Sequence, residues 1–310
     1  MKLQLTTLVA AVNFALSGAA FAQSIVPATT NLNDNVNWGI NNSNYEEDRD
    51  AWRNINPSYD SSTSFSSARQ SLNSIPSATS GTEQNLETTT QNGTNNSAST
   101  VQSVTDNRSS IDQTGNGHYA DTDQSGGANF SRVTQNLGNG GVVNTLQEGN
   151  YNSSVVDQYG GNYNGADVWQ SGSNNASVIL QGGIGGGADS NSAYVIQSGN
   201  NNESYIGQTY GDSNVATATQ SGELGTSYII QRGNNNEATL TQQIDSVSNE
   251  SYILQDNVTF GQDGHYAKVT QGGGSSNIAT VTQLGQAQAT AHSTVTQTGG
   301  GGNQASVLQY

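Results

Sequence analysis

A chain of 310 residues could hold one or two ordinary domains, but only 32% of its residues are hydrophobic, 10% are charged and 37 are glycine. That composition excludes a conventional apolar core and, without periodicity, would read as disordered. The formal net charge of −16 excludes nucleic acid and anionic membrane as partners, since both demand a basic face, and the absence of cysteine removes disulfides as a substitute for the missing core.

In chain order, residues 1–22, MKLQLTTLVAAVNFALSGAAFA, have the layout of a signal peptide. Lys2 gives a short basic start, Leu3 to Leu16 is mostly apolar, and Ala20-Phe21-Ala22 is an A-x-A cleavage site. The apolar stretch is short and interrupted by Asn13, which argues against a membrane span, and no insertion into a membrane is expected further along. Cleavage before Gln23 leaves 24 acids against seven bases, a net charge of −17. Residues 23–84 are not repetitive. They contain Trp38, Trp52, the charged run NYEEDRDAWR and Pro27, Pro57 and Pro76. The region reads as mainly flexible, with a helical turn or two around Tyr45 to Arg53, and as an export signal or a docking arm.

From residue 85 to 310 one pattern repeats. Glutamine returns at Gln91, Gln102, Gln113, Gln124, Gln135, Gln147, Gln158, Gln170, Gln181, Gln197, Gln208, Gln220, Gln231, Gln242, Gln255, Gln271, Gln283, Gln297 and Gln309, mostly 11 or 12 residues apart. Six residues before it, 14 of the 19 copies have asparagine: Asn85, Asn96, Asn107, Asn129, Asn152, Asn164, Asn175, Asn191, Asn202, Asn214, Asn236, Asn249, Asn277 and Asn303. Four before it, 17 of 19 have Ala or Ser, and two before it every copy has Val, Ile, Leu, Ala or Thr. Two after it, 13 of 18 have glycine, including Gly115, Gly126, Gly149, Gly160, Gly172, Gly183, Gly199, Gly222, Gly233, Gly273, Gly285 and Gly299.

Offsets of −6, −4, −2 and 0 share one face of an extended strand, whereas a helix would scatter them. Each unit is therefore expected to be a seven-residue strand closed by a Gln-x-Gly turn, with glycine supplying positive φ. If successive strands form the two layers of an arch, each Gln faces the Asn that opens the next strand, and the small residue faces the aliphatic one. Copies stacked about 4.8 Å apart then place like amides in hydrogen-bonding reach, as inward amide ladders. The outward residues suggest two strands per coil of about 22 to 24 residues: Thr217/Thr219, Thr239/Thr241 and Thr294/Thr296 fall on one parity and Tyr205, Tyr228 and Tyr252 on the other. Tyr194 and Thr280/Thr282 break this rule. Roughly nine and a half such coils would rise about 45 Å, with GGIGGGADS after Gln181 and DNVTFGQDG after Gln255 as loops. The fold class is all-β, a β-solenoid of stacked strand-turn-strand coils. Its ends are open strands, and NQASVLQY at 303–310 offers a regular repeat as an edge.

Chemistry is sparse. His118, Asp121 and Asp123 form H-x-x-D-x-D, but the two carboxylates fall at outward positions and read as solvated gatekeepers rather than a metal site. GGGADSN occurs once, where calcium-binding repeats need tandem copies. The three histidines lack zinc spacing, and there is no G-x-S-x-G elbow. No catalytic residue, cofactor or metal is expected. The Thr rows and the Tyr row admit an alternative, a capped monomeric solenoid acting as an adhesin or ice-binding protein.

The period, the arched strands and N-x-A-x-x-x-Q-x-G together resemble curlin, the repeat subunit of curli, the extracellular amyloid fibres of Gram-negative bacteria. Asn191 to Gln197, Asn214 to Gln220, Asn277 to Gln283 and Asn303 to Gln309 show the motif core. The resemblance implies a cell-surface fibre built from the protein itself, export through an outer-membrane secretion channel, a nucleating partner subunit, and a role in biofilm matrix and adhesion. The Gln-Tyr terminus is more like the major than the nucleating subunit. Nineteen half-units are several times the family's usual repeat domain, and Ser24-Ile25-Val26-Pro27 is a faint echo of its export segment.

Overall fold

The computed structural model describes residues 85–182, 188–257, 264–285 and 290–309. The leader, the region 23–84 with its expected helical turns, and Gly183 lie outside the described residues. Nineteen strands and no helix are present among the described residues. One sheet holds the odd strands: β1 (Leu86–Thr94), β3 (Arg108–Asn116), β5 (Phe130–Asn139), β7 (Ser153–Tyr159), β9 (Ala176–Gly182), β11 (Glu203–Thr209), β13 (Thr226–Arg232), β15 (Glu250–Asp256), β17 (Ile278–Leu284) and β19 (Gln304–Gln309). The other holds β2 (Ser97–Ser103), β4 (Tyr119–Ser125), β6 (Val142–Asn150), β8 (Gly165–Ser173), β10 (Ser192–Gln197), β12 (Val215–Gln220), β14 (Glu237–Gln242), β16 (Tyr266–Gly272) and β18 (His292–Thr298).

The chain alternates between the sheets, so every strand pairs in parallel with the strand two before it. In each pairing Gln stands beside Gln, as in Gln91↔Gln113 and Gln220↔Gln242. This is the two-strand coil the parity predicts, repeated nine times with one further strand. Register is strongly specified because a one-residue slip would turn the whole inward face outward.

The inward rows form the core. Ile206, Ile229 and Ile253 are stacked and fully buried in the odd sheet, as are Ala193, Ala216 and Ala238 opposite them. A cleaner parity than the outward one sits at −4: Ser109, Ser131, Ser154, Ser177, Ser204, Ser227 and Ser251 lie on odd strands, and Ala98, Ala120, Ala166, Ala193, Ala216, Ala238 and Ala267 on even ones. Thr100 and Ser109 hydroxyls meet across the gap at 3.2 Å. Small against large keeps the layers evenly spaced, and each buried Ile contributes roughly 1.5–3 kcal/mol over exposure.

Two expectations about the arches need correction. Pairing does not stop at Gln: β1, β3, β6 and β8 have nine residues and β5 has ten, because the ladder continues through the turn, as Gly93↔Gly115 shows. Nor is positive φ common to all the turn glycines. Gly115, Gly126, Gly149, Gly160, Gly172, Gly233, Gly273 and Gly299 have it, whereas Gly199, Gly222 and Gly285 do not. The first two of these three are required for close approach, since a Cβ on Gly199 would collide with the Gly222 carbonyl and one on Gly222 with the Ser246 carbonyl. On the opposite turn this role passes from Gly115 to Gly138 and Gly161 rather than to Gly160. An irregularity at Thr114/Gly115, where β5 carries the extra Leu137, displaces the column by one residue.

The second bend of each arch lies immediately before the inward Asn. Asn95, Ala128, Tyr151, Asn174, Asn201, Asn235, Ser248 and Ser276 all have φ between 53 and 59° there, and Leu224 does so before Gly225, which holds the same position. Non-glycine residues rarely adopt this conformation; here the stacked coils above and below hold it.

Candidate functional site

The interior amides form the most extensive constellation. Along the odd sheet each Gln Nε2 donates to the Oε1 of the Gln one coil on, through all nine steps from Gln91 to Gln309. The even sheet repeats this through all eight steps from Gln102 to Gln297, at 2.7–3.2 Å. The same amide bridges the layers. Gln208 Nε2 also reaches the carbonyls of Ser192 at 2.9 Å and Asn214 at 3.0 Å. A ladder of this kind has a direction, with donors pointing toward the C-terminal end.

The asparagines stack differently from the glutamines. Asn Oδ1 accepts the backbone N–H of the next coil's Asn, as Asn152 does from Asn175 at 3.1 Å and Asn191 from Asn214 at 2.9 Å. Asn Nδ2 holds the turns by donating to two carbonyls, for example Asn129 to Ser125 and Gly149, and Asn175 to Ser171 and Gly199. Direct amide-to-amide bonds join only some Asn pairs, such as Asn202 to Asn175 at 3.2 Å and Asn303 to Asn277 at 2.9 Å. The expected Asn ladder is therefore a side-chain-to-backbone clamp. Asn96, Asn107, Asn164, Asn236, Asn249 and Asn277 occupy the same inward position, and all but Asn96 are buried.

Four of the five exceptions to Asn form two stacked pairs, and the fifth, Gly225, donates its N–H to Asn202 Oδ1. His118 and His265 replace it, are buried, and use Nδ1 to accept the N–H of Gly141 and Ala291, both at 3.2 Å. The residue stacked on each ring is thus small, which leaves room for an imidazole where an amide is usual. His118 turns inward, away from the outward Asp121 and Asp123, so H-x-x-D-x-D is not one cluster. Burial lowers both histidines below the ordinary value, opposed in part by backbone at Thr114 and Gly138 for His118 and at Asp256 for His265, while His292 lowers His265 further. A depressed histidine stabilises the fold above its unfolded value of 6.5, and that contribution is lost as pH falls through the folded values. Protonation would also set an N–H against the Gly141 and Ala291 donors. Chemical denaturation of the wild type at pH 7.5 and 5 should show a loss of stability that His118→Asn/His265→Asn removes; an equal loss in the variant would contradict this assignment.

A second ladder escaped the sequence reading. On the outside of one turn Asn116 donates to Asn139, Asn139 to Asn162, and Asp189 Oδ1 accepts from the Asn162 backbone; Asp212 and Asn234 continue the column. Its signal is an Asn or Asp eight residues before alternate glutamines, diluted by Thr94 at one end.

On the outward faces the two sheets differ. Thr217, Thr219, Thr239 and Thr241 on the even sheet are partly exposed, and the row is broken by exposed Lys268 beside Thr239. Tyr205, Tyr228 and Tyr252 on the odd sheet are buried, with ring centroids 6.1 and 5.3 Å apart. Burial pushes the Tyr205 phenol up to about 12, with Arg232 opposing. Among the described residues this tyrosine row presents no exposed face.

The geometry defines a parallel two-sheet β-solenoid with amide columns running through its interior. Residues 187–209 and 211–243, which hold β10 to β14, match the family model of the curlin associated repeat. Over those residues the chain is similar to curlin repeats. No curated protein gives a significant match to the chain.

Proposed function

We propose that this chain is the major subunit of an extracellular curli-type amyloid fibre on a Gram-negative cell, serving biofilm matrix and adhesion. Its chief partner is a second copy of itself, with a nucleating subunit and an outer-membrane secretion channel as accessory partners, and it performs no catalysis. The observation that carries this reading is the unbroken, directional Gln ladder, which reaches an inward Gln on each strand at both edges. β1 and β2 border one end of the described solenoid, β18 and β19 the other. Donors of one end match acceptors of the other, so copies add head to tail, each new coil templated by the last.

β1 is exposed along its whole length, and its inward −4 position holds Glu87 where 17 of the 19 copies have Ala or Ser. An inward charge on an edge strand hinders pairing. Glu87→Ala should therefore shorten the lag of assembly several-fold without altering the soluble chain; an unchanged or longer lag would remove Glu87 from the assembly edge. Fibre diffraction tests the reading as a whole. Oriented assemblies should give a meridional reflection near 4.8 Å, and assemblies lacking it would overturn the proposal. The buried tyrosines and the broken Thr rows give the adhesin and ice-binding alternatives no comparable support.

A further inference from the structure

The described solenoid finishes on a half coil. Its odd sheet has ten strands and its even sheet nine, so β19 has no even strand beside it in the last coil. A second copy can be laid on this end in two ways. With like sheets in line, β1 of the incoming copy pairs with β19. β18 and the incoming β2 then lie two strand spacings apart, about 9.6 Å, with an empty strand position between them. Gln297 of one copy and Gln102 of the next would face that gap without an amide partner, against the rule that buried polar groups are paired. With the incoming copy rotated by half a turn about the long axis, its β1 fills the empty position beside β18, and its β2 follows beside β19. Both ladders then cross the junction. Gln297 Nε2 donates to Gln91 of the next copy and Gln309 Nε2 to Gln102, continuing the steps from Gln271 to Gln297 and from Gln283 to Gln309.

The small inward residues favour the rotated junction independently. From β2 to β16 the −4 position is serine on odd strands and alanine on even ones, apart from Val143 on β6. Like stands on like within each sheet, as in Ser204↔Ser227 and Ala216↔Ala238, and Ser227 Oγ donates to Ser204 Oγ at 3.1 Å. The assignment then reverses. β17, β18 and β19 carry Ala279, Ser293 and Ala305, so Ser251 pairs with Ala279 and Ala267 with Ser293. A shift of one strand is what a unit of nineteen strands needs if its rows are to continue into a rotated copy. Across that junction Ala305 meets Ala98, which already pairs with Ala120. Ser293 meets Glu87, in the row that Ser109 and Ser131 continue, and its hydroxyl can donate to the carboxylate. With like sheets in line, Glu87 would face the methyl group of Ala305.

We infer that successive copies join with a half turn, so that the odd sheet of one runs into the even sheet of the next. This rests on the head-to-tail assembly proposed above. The contact is heterologous and does not close, as a filament requires. Each copy advances nine and a half coils, about 45 Å, and the fibre repeats every two copies, about 90 Å. Each side of the fibre presents odd and even outer faces in turn.

The test oxidises preformed fibres of the otherwise cysteine-free chain from Gln23 onward. Thr88 on β1, Thr294 on β18 and Ser306 on β19 all lie at the outward −3 position. Within one copy Thr88 lies at the opposite end of the solenoid from the other two, so only a junction can bring them together. Thr88→Cys/Thr294→Cys should yield disulfide-linked multimers, because the rotated junction sets these residues about 4.8 Å apart. Thr88→Cys/Ser306→Cys should yield about tenfold fewer, since its cysteines lie on opposite outer faces, more than about 10 Å apart. Equal or reversed yields, or fibres in which neither pair is linked, would overturn the half turn and leave polymerisation standing. A wild-type chain that forms no fibres would overturn both. Should the cysteine variants fail to assemble, helical reconstruction of wild-type fibres decides alone. A step of nine and a half coils with a half turn is expected, and a step of about ten coils, about 48 Å, without one would contradict it.

Discussion

Gln208→Glu should abolish seeded growth at neutral pH and destabilise the solenoid by several kcal/mol, as expected for an unpaired buried charge. Gln208 is fully buried, accepts from Gln181 at 2.8 Å and donates to Gln231 at 2.9 Å. A carboxylate of the same shape keeps the acceptor role and loses the donors, so it faces the Gln231 oxygen and the Ser192 and Asn214 carbonyls with nothing to offer. Unmade buried hydrogen bonds add about 1–3 kcal/mol. Two controls isolate the cause. Gln243→Glu places the same change on an exposed residue and should be silent. Lowering the pH below the ordinary carboxylate range should partly restore Gln208→Glu, because a neutral acid can donate again. The guanidinium concentration that halves the β-sheet signal reads both; equal midpoints for Gln208→Glu and wild type would show that the ladder contributes little.

Gly149→Ala tests the turns. Gly149 has φ 110° and sits in a column in which a Cβ on Gly126 would strike the Gly149 carbonyl, one on Gly149 that of Gly172, and one on Gly172 that of Gly199. An alanine there meets a forbidden dihedral and a collision with backbone that cannot rotate away. The expected loss is about 3 kcal/mol or more, with damage passed to the coils on either side because each turn is packed on the next. Gly299→Ala should be milder, since a Cβ there meets nothing within 4 Å and only its φ of 71° is strained. Equal effects at the two positions would mean that close approach is not what selects glycine at Gly149.

The strands, the two-strand coil and the inward glutamines were legible because period 2 and period 11 are both written in residue types. The bends before the inward Asn were not, since Ala128, Tyr151, Asn174 and Ser276 share no side-chain property; the stacked backbone imposes their shared dihedral. His118 and His265 were hidden for a related reason. An imidazole with one acceptor nitrogen does the work of an amide oxygen, and only the coil above reveals it through Gly141 and Ala291. The buried tyrosine row of the odd sheet was also invisible. Alternation within a strand separates inward from outward, but outward is not the same as exposed. The Asn rows bond differently from the Gln rows, because a side chain one methylene shorter than Gln reaches backbone more readily than its own copy.

Seeding tests the central claim most directly. The chain from Gln23 onward, diluted from denaturant into near-neutral buffer, should form fibres after a lag that preformed fragments abolish, followed by thioflavin T fluorescence and electron microscopy. Growth from fragment ends is the predicted result, since the Gln donors of one edge match the Gln acceptors of the other. A soluble, folded, β-rich monomer that ignores seeds would contradict the account.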